Sequence, residues 1–417
     1  MSSRVWVVSE LYYPEETSTG HFMTRIAEGL AKSQPVSVLC SQPTYAARDI
    51  RAPWREIHNG VEIERCAGTR LNKNVRPSRV INLITLSASI YLKCLLRLRR
   101  GDKVVVVTNP PLLPFLVSLA CRLRGATCVL RIDDVYPEVL VATGIASPRS
   151  LVVRAMHHAT SRLYRGVARI VVLGRDMREL ARAKLTDSGE RVVVIPNWAD
   201  LDEVAPRPKS ENALLRELGI SDKFVVQCAG NMGRAQGIEN MFAAAEILKD
   251  REDIHFVFIG SGAKRPWMES EVESKQMRNI TLVDQRPRSD QINFLNACDI
   301  AIASLVPGMV GVSVPSRMYN IMAAGKPVIA VTEPGSEFAR VVEEEDIGWI
   351  VPPNDPEKLA EAILDAASDP ARLRGMSERA RAAAEAKYSE ECAVRAYAEL
   401  LRDLDGVAEP SPVGGAR

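Results

Sequence analysis

Cysteine patterns typical of disulfide frameworks and metal sites are missing from this sequence. Its eight cysteines are scattered through apolar segments, with no C-x-x-C pair and no neighbouring histidine. We therefore expect buried thiols in a reducing compartment, which predicts a cytoplasmic protein. No basic segment followed by a long apolar stretch occurs near residue 1, so no signal peptide is indicated.

The dinucleotide fingerprint G-x-G-x-x-G is also absent, which disfavours a dinucleotide-dependent dehydrogenase. No Asp-x-Asp follows a predicted strand in the second half of the chain, and we expect neither a metal nor another cofactor. The segment 104–121 is uncharged for 18 residues, the lower limit for a membrane-spanning helix. Pro110, Pro111 and Pro114 divide it into a strand, a turn and the start of a helix.

The chain has 417 residues, of which 46% are hydrophobic and 25% charged, and is therefore long enough to form two separate hydrophobic cores. Residues 1–200 have 29 Lys and Arg against 17 Asp and Glu, and the rest of the chain has 25 against 35. The basic first half favours contact with phosphate-bearing ligands or an anionic membrane leaflet. A solvated arginine-rich surface is the alternative.

Short β-branched runs alternate with amphipathic stretches of helix length in both halves. Runs that are apolar on both faces are typical of parallel strands covered by helices on each side. The pattern predicts two Rossmann-like, doubly wound α/β domains. The predicted division is a first domain at 1–198, a hinge at 199–212, a second domain at 213–386, a final helix at 387–405 that could pack back on the first domain, and a flexible tail at 406–417.

The turn from Pro14 to Gly20 follows the first predicted strand and opens a helix. Free backbone N–H groups and the positive end of the helix dipole make such a turn suitable for a phosphate, and Gly20 is a predicted donor-binding residue. Any turn from a strand to a helix favours Ser, Thr and Gly, so an ordinary connection is the alternative.

The second domain opens with a more specific turn. Its glycines let the backbone bend tightly and approach a ligand, and its arginine adds a fixed positive charge. A phosphate partner is the natural inference, while a solvent-facing arginine on a tight loop is the alternative. The predicted donor-binding residues of this turn are Gly230, Asn231, Gly233, Arg234 and Gln236.

The segment 311–330 carries the strongest signal. Pro315 suits the first turn of a helix with Ser313 or Val314 near its N-cap, and Gly325 suits its end. The start of this helix should face the same sheet edge as the turn at 230–237. The predicted donor-binding residues here are Ser313, Pro315, Ser316 and Arg317, with Asn320 one turn further on to reach a ribose hydroxyl.

Together these segments resemble the retaining glycosyltransferases of family 4, which have the GT-B fold of two facing Rossmann-like domains. The resemblance covers nearly the whole chain and includes Ile195–Asp200, Phe258–Gly262 and the segment 311–330. It is closest to the WbuB-type branch of bacterial O-antigen and capsule transferases. It implies a nucleoside-diphosphate sugar bound mainly by the second domain, an acceptor bound mainly by the first, and retention of anomeric configuration.

The sequence departs from the family at its usual pair of glutamates, which are separated by seven residues. These positions are Val312 and Asn320 here, so neither carboxylate is present. Asn320 can still offer its amide to a ribose, whereas the sugar-contacting glutamate has no replacement in register. The branch places the phosphate-binding charge on Arg234 and Arg317 instead. A catalytically degenerate, nucleotide-binding partner subunit is therefore one alternative function.

Asp133 and Asp134 are the predicted catalytic residues. They follow the predicted strand Thr127–Ile132, at the edge facing the second domain, where many family members have a His-Asp pair. A carboxylate in this position could orient or deprotonate an acceptor hydroxyl. A helix cap is the alternative, because Asp is a favoured cap residue and Pro137 fits a first turn.

The stretch from Val80 to Leu92 has thirteen uncharged residues between basic clusters. Thirteen residues cannot span a bilayer but can lie in its interface, although a core helix with basic ends would have the same pattern. The flanking basic residues are Arg70, Lys73, Arg76, Arg79, Lys93, Arg97, Arg99 and Arg100.

The predicted function is transfer of a sugar to a hydroxyl acceptor in the synthesis of an envelope polysaccharide. By analogy with the branch, the expected donor is a UDP-activated N-acetylated hexose. A lipid-linked acceptor would explain the basic first half and the apolar stretch, and would place the protein peripherally at the inner face of the cell membrane. No nucleic-acid partner is expected. A transferase or pseudo-glycosyltransferase for a small natural product is the enzymatic alternative.

Overall fold

The computed structural model describes residues 3–44, 50–71, 76–185 and 189–404. They form two α/β domains, each with helices on both faces of a central sheet, as the sequence predicts. The predicted flexible tail at 406–417 lies outside the described residues, as do Lys73 and residue 405 of the predicted final helix.

Eight strands form the sheet of the first domain. They are β1 (Val5–Val8), β2 (Val36–Ser41), β3 (Arg55–His58), β4 (Val61–Cys66), β5 (Lys103–Val107), β6 (Thr127–Ile132), β7 (Arg169–Val172) and β8 (Val192–Val194). Their spatial order is β3-β4-β2-β1-β5-β6-β7-β8, and all neighbours are parallel except β3 and β4. Trp6 and Val8 of β1 join the buried cluster on one face, and Val5 and Val7 join the cluster on the other.

Helices flank this sheet. In the described part of the first domain they are α1 (Ser18–Ala31), α2 (Arg76–Arg97), α3 (Leu113–Arg124), α4 (Glu138–Ala142), α5 (Leu151–Gly166) and α6 (Arg175–Ala183). Within the described ranges, Pro77–Arg97 of α2 is long and apolar enough to cross a membrane by length and composition alone, and 22% of its apolar window is buried. The predicted apolar stretch from Val80 to Leu92 thus belongs to a longer helix.

Six parallel strands form the second sheet, in the spatial order β11-β10-β9-β12-β13-β14. They are β9 (Phe224–Ala229), β10 (Ile254–Ile259), β11 (Ile280–Val283), β12 (Ile300–Ser304), β13 (Val328–Val331) and β14 (Gly348–Val351). The accompanying helices are α7 (Ala213–Glu217), α8 (Ile238–Ile247), α9 (Arg265–Lys275), α10 (Gln291–Leu295), α11 (Arg317–Ala323), α12 (Glu337–Glu344), α13 (Pro356–Ser368) and α14 (Pro370–Lys387).

The chain crosses between the domains twice. The outward crossing follows β8, and the return crossing leads from α14 into α15 (Glu390–Asp403). The backbone N–H of Ala199 donates to the carbonyl of Tyr388 over 2.8 Å, so the two crossings lie side by side. α15 then packs on the first domain, where Tyr397 and Leu401 share a buried cluster with Met23 of α1.

Candidate active site

Loops and helix starts that follow strands of the two sheets meet in an interdomain cleft. Those after β1, β6 and β7 of the first domain contact those after β11, β12 and β13 of the second. In parallel sheets the carboxyl ends of the strands lie at one edge, which is where open α/β sheets bind ligands. The two ligand-binding edges therefore face each other.

Asp134 connects the two domains directly. It forms an isolated antiparallel bridge with Ser313, and the neighbouring Val135 N–H donates to the carbonyl of Val312 over 2.9 Å. Burial raises the pKa of the Asp134 carboxyl, the hydrogen bond with Ser313 opposes this, and the negative charge of Asp133 raises it further. The carboxyl group lies at the seam where the domains meet.

Asp133 faces the first-domain side of the cleft. Its Oδ1 accepts a 2.8 Å hydrogen bond from Nε of Arg131, and its Oδ2 lies 3.3 Å from the hydroxyl of Thr19 at the start of α1. Its side chain is 17% exposed. Neither aspartate caps a helix, because α4 begins after Pro137. The predicted alternative of a helix cap is therefore wrong for both aspartates, and Asp133 is the one whose carboxylate lies at the first-domain side of the cleft.

The turn after β1 brings the start of α1 to the second domain. Thr17 caps α1, its hydroxyl accepting from the N–H of Gly20 over 3.3 Å. A Cβ on Gly20 would lie 2.7 Å from the carbonyl oxygen of Glu15, so the turn needs glycine there. The hydroxyl of Ser18 lies 2.9 Å from that of Ser316 across the cleft.

Closely packed glycines shape the turn after β9. Gly230 has φ +126°, and a Cβ on Gly260 of the neighbouring loop would lie 2.0 Å from the Gly230 carbonyl oxygen. The guanidinium of Arg317 lies over Gly230, and its NH2 donates to the Asn231 carbonyl over 3.4 Å. The structure thus brings together the predicted second and third donor-binding segments.

Arg234 follows these glycines and is exposed; among the described residues it makes no hydrogen bond or ion pair. The side-chain oxygen of Gln236 accepts from the N–H of Gly233 over 3.1 Å, which holds the turn from within. Gln236 and Gly233 therefore shape the turn, while Arg234 leaves its charge free for a ligand.

The helix in the segment 311–330 begins later than the sequence predicts. α11 starts at Arg317 with Ser316 at its N-cap, so Pro315 precedes the helix rather than occupying its first turn. The expected N-cap at Ser313 or Val314 is wrong because Ser313 pairs with Asp134 across the cleft, which keeps this part of the backbone out of the helix.

Asn320 is engaged at the hinge. Its Nδ2 donates to Asp200 Oδ2 over 2.8 Å and to Gln291 Oε1 over 2.7 Å, and its Oδ1 accepts from the N–H of Asp200 over 2.9 Å. Asp200 also pairs with His21 Nε2 at 2.9 Å and with Arg288. In this conformation both amide donors of Asn320 are used within the protein, and neither points free toward a ribose.

Val312 lies in an apolar seam between the domains. It is 2% exposed and packs with Leu305 and Met309 of its own domain against Val139 and Ala142 of the first. The position where the family's first glutamate is expected therefore holds a side chain that seals the interdomain contact, with no charged group.

Several interdomain contacts were not predicted from the sequence. Oδ2 of the buried Asp176 accepts from the N–H of Gly311 over 2.9 Å, and Arg175 Nε donates to Glu337 over 2.8 Å. The feature of the sequence that could have indicated a role for Arg175 and Asp176 is their position just after the predicted strand Ile170–Leu173. Their partners lie more than a hundred residues away along the chain, and sequence spacing gives no register between separate domains.

Comparisons with known proteins agree with this geometry. Residues 19–198 match the family model described as a glycosyl transferase 4-like domain, and residues 211–383 match that of glycosyl transferases group 1. The chain is 33% identical over 404 residues to the probable glycosyltransferase WbjE of Pseudomonas aeruginosa, covering 96% of this chain and 98% of that protein.

Two further similarities are more distant. A UDP-Gal:alpha-D-GlcNAc-diphosphoundecaprenol alpha-1,3-galactosyltransferase of Escherichia coli is 24% identical over 297 residues, covering 70% of this chain and 73% of that protein. The crystal structure of Anabaena Alr3699/HepE in complex with UDP-glucose superposes with a TM-score of 0.73 at 14% identity, covering 96% of this chain and 100% of that one.

Two facing Rossmann-like domains with matching family models define a glycosyltransferase with the GT-B fold. The chain belongs to glycosyltransferase family 4, as its motifs indicate.

Proposed function

We propose that this enzyme transfers a sugar from a UDP-activated N-acetylated hexose to the hydroxyl of a lipid-linked precursor of an envelope polysaccharide, with retention of configuration. The observation that carries the proposal is a glycine-lined turn of the second domain that carries the exposed Arg234 and is covered by the guanidinium of Arg317 from the start of α11, across the cleft from Asp133 of the first domain.

The diphosphate of the donor would bind at the glycine turn. The guanidinium of Arg317 packs directly over Gly230, where a Cβ would lie 3.3 Å from its Cζ, and Arg234 is exposed four residues further along the same turn. Two guanidinium groups can bind phosphate oxygens with charge-assisted hydrogen bonds and offset two negative charges. The UDP-glucose complex of the HepE structure supports a UDP sugar as donor.

No metal is needed in this proposal, because the two arginines carry the charge that a divalent cation would otherwise supply. Within the described residues, no three His, Cys, Asp or Glu side chains are grouped as metal ligands. Under the proposal, turnover in EDTA equals turnover in Mg²⁺.

The acceptor hydroxyl would approach Asp133. Its carboxylate oxygen beside Thr19 faces the cleft, where it can accept the proton of the attacking hydroxyl or orient it. Asp134 is bound to Ser313 of the second domain, so its role is to complete the catalytic arrangement when the domains are closed.

The membrane-facing surface would be α2. Its exposed large apolar side chains form two groups, one in the first half of the helix and one near its end. They are Val80, Ile81, Ile84, Leu92 and Leu96, exposed by 54%, 44%, 50%, 58% and 77%. An apolar face on a basic domain suits the interface of an anionic bilayer. The E. coli relative, whose name includes a diphosphoundecaprenol acceptor, supports a lipid-linked acceptor.

Asp133→Asn tests the catalytic assignment. Wild-type protein is first screened by thermal shift against a panel of nucleotide sugars, since a ligand of the native state raises its apparent stability. With the sugar that releases UDP fastest, Asp133→Asn should lower kcat by at least ~100-fold while the Kd of UDP stays unchanged, because the lost base acts on the acceptor.

The same assay distinguishes the alternatives. If the wild-type protein binds nucleotide but neither transfers nor hydrolyses the donor, a catalytically degenerate partner subunit is favoured. The absence of the family's two glutamates, replaced here by Val312 and Asn320, would then explain the lost activity. Full activity of Asp133→Asn would refute the catalytic role of Asp133. Transfer to soluble acceptors without any vesicle binding would favour a natural-product transferase.

A further inference from the structure

Arg131, near the end of β6, is a buried arginine that contacts neither substrate in the proposed reaction. Its side chain is 1% exposed, and each end of its guanidinium has a partner. Nε donates to Asp133 Oδ1 over 2.8 Å, NH1 to the hydroxyl of Tyr397 over 2.8 Å, and NH2 to Asn197 Oδ1 over 2.7 Å. A buried charge is stable only with such partners, so this arrangement fixes the guanidinium plane.

The three partners come from three separate parts of the fold. Asp133 belongs to the cleft loop, Asn197 to the outward crossing between the domains, and Tyr397 to α15 after the return crossing. Tyr397 is 0% exposed and Asn197 is 4% exposed, so water does not replace these contacts. Arg131 is thus the point at which both crossings are joined to the cleft loop.

We propose that Arg131 is a positioning residue for Asp133, and that Tyr397 and Asn197 fix its orientation. This inference rests on the catalytic role proposed for Asp133. The guanidinium holds Oδ1 of the carboxylate, and this hydrogen bond turns Oδ2 toward Thr19 and the cleft. α15 therefore contributes to catalysis from behind the first sheet, without touching either substrate.

Tyr397→Phe is the most conservative test, because it removes one hydroxyl and keeps the aromatic packing. It should lower kcat by ~10-fold through displacement of the carboxylate, with the Kd of UDP unchanged. Arg131→Lys, which keeps the charge but not the three-way geometry, should lower kcat further. The matched control is Tyr164→Phe, a buried tyrosine of the same domain whose hydroxyl makes no hydrogen bond in the described residues.

A double-mutant cycle separates positioning from general stability. UDP release is measured for Tyr397→Phe in the wild-type and Asp133→Asn backgrounds, with the nucleotide sugar selected by the panel. If Arg131 acts through Asp133, the effect of Tyr397→Phe disappears in the Asp133→Asn background. Because Tyr397→Phe needs no rearrangement of the core, the cycle does not depend on whether Arg131→Lys folds.

Two results would overturn the inference. One is an equal decrease for Tyr397→Phe in both backgrounds, which would mean that the contact only stabilises the fold. The other is wild-type turnover in Tyr397→Phe. If that second result occurred while Asp133→Asn remained impaired, the proposed function would stand and this inference alone would fail. Unimpaired Asp133→Asn would remove the catalytic role of Asp133, and this inference with it.

Discussion

Arg317 is held against backbone and sulfur rather than against a carboxylate. Its NH2 contacts the Asn231 carbonyl at 3.4 Å, and its NH1 lies 3.8 Å from the Cys228 sulfur. Both contacts are long and neither partner carries a formal negative charge, so among the described residues no carboxylate neutralises the positive charge of Arg317. An arginine in this state is suited to an anionic ligand, since binding removes no existing ion pair.

Replacing Arg317 with Ala should weaken UDP binding by about 1.5–3 kcal/mol, the range for a hydrogen bond to a charged group. Arg234→Ala should have a similar effect, because the guanidinium of Arg234 is exposed on the glycine turn that Arg317 contacts. Titration calorimetry with UDP measures both. Arg278→Ala, an exposed arginine of the same domain, serves as the control. Unchanged affinity in both test variants would remove the phosphate-binding assignment.

Residue types at the site were predictable where the chemistry is local. Gly230 and Asp133 stand directly after β9 and β6, Arg317 stands at the start of the helix that follows β12, and the sheet topology brings all three to one cleft. The surroundings of Asn320 were not predictable. Its partners Asp200 and Gln291 belong to the hinge and to α10, and only the packing of the two domains places them together.

Among the elements, the antiparallel hairpin of β3 and β4 was missed by the sequence analysis. Both strands contain charged residues, and β3 is the edge strand with β4 next to it, so they lack the continuous apolar runs of the central strands. The turn between them, Asn59 and Gly60 with φ of +47° and +81°, is a known hairpin signal and could have identified the pair.

The environment of α2 determines which of its residues can reach a membrane. Arg97 Nε lies 2.9 Å from Glu64 Oε2, and Lys93 and Arg55 pair with the same carboxylate. Burial alone would raise the pKa of Glu64, but these hydrogen bonds lower it to about 2. Arg97 is therefore engaged by the domain, and the exposed leucines of α2 are the sharper probes of membrane binding.

The double substitution Leu92→Gln and Leu96→Gln should reduce binding to vesicles of phosphatidylglycerol and phosphatidylcholine by at least ~10-fold, because burying a leucine side chain contributes about 1.5–3 kcal/mol. The control is Ile247→Gln, an exposed apolar side chain of the second domain. Co-sedimentation measures the bound fraction, and circular dichroism checks that α2 is intact. Equal binding of the double variant and the control would exclude α2 as the membrane surface.

At the scale of the whole molecule, the closed arrangement depends on contacts of two kinds. Buried polar contacts lie near the cleft, such as Asp176 with Gly311, whereas exposed ion pairs lie further out, such as Arg340 with Glu179 at 3.1 Å. Close packing accompanies the buried contact: a Cβ on Gly311 would lie 2.9 Å from the Asp176 carbonyl oxygen. The sequence predicted two domains and a hinge, but not these closing contacts.

Loss of the Asp176 carboxylate should therefore favour an open arrangement, and loss of the exposed pair should not. Asp176→Ala leaves the N–H of Gly311 without its acceptor in the closed state, at a cost of about 1–3 kcal/mol. Arg340→Ala removes a pair whose side chains are 29% and 61% exposed. Such surface pairs typically contribute about 0–1 kcal/mol.

Small-angle X-ray scattering can compare the two variants. Asp176→Ala should have a larger radius of gyration than wild type without ligand, and UDP should reverse part of the change by binding the closed state more tightly. Because only the closed fraction is competent for transfer, kcat/KM should fall in proportion to that fraction. Equal radii and equal kcat/KM for Asp176→Ala and Arg340→Ala would show that the buried carboxylate does not control closure.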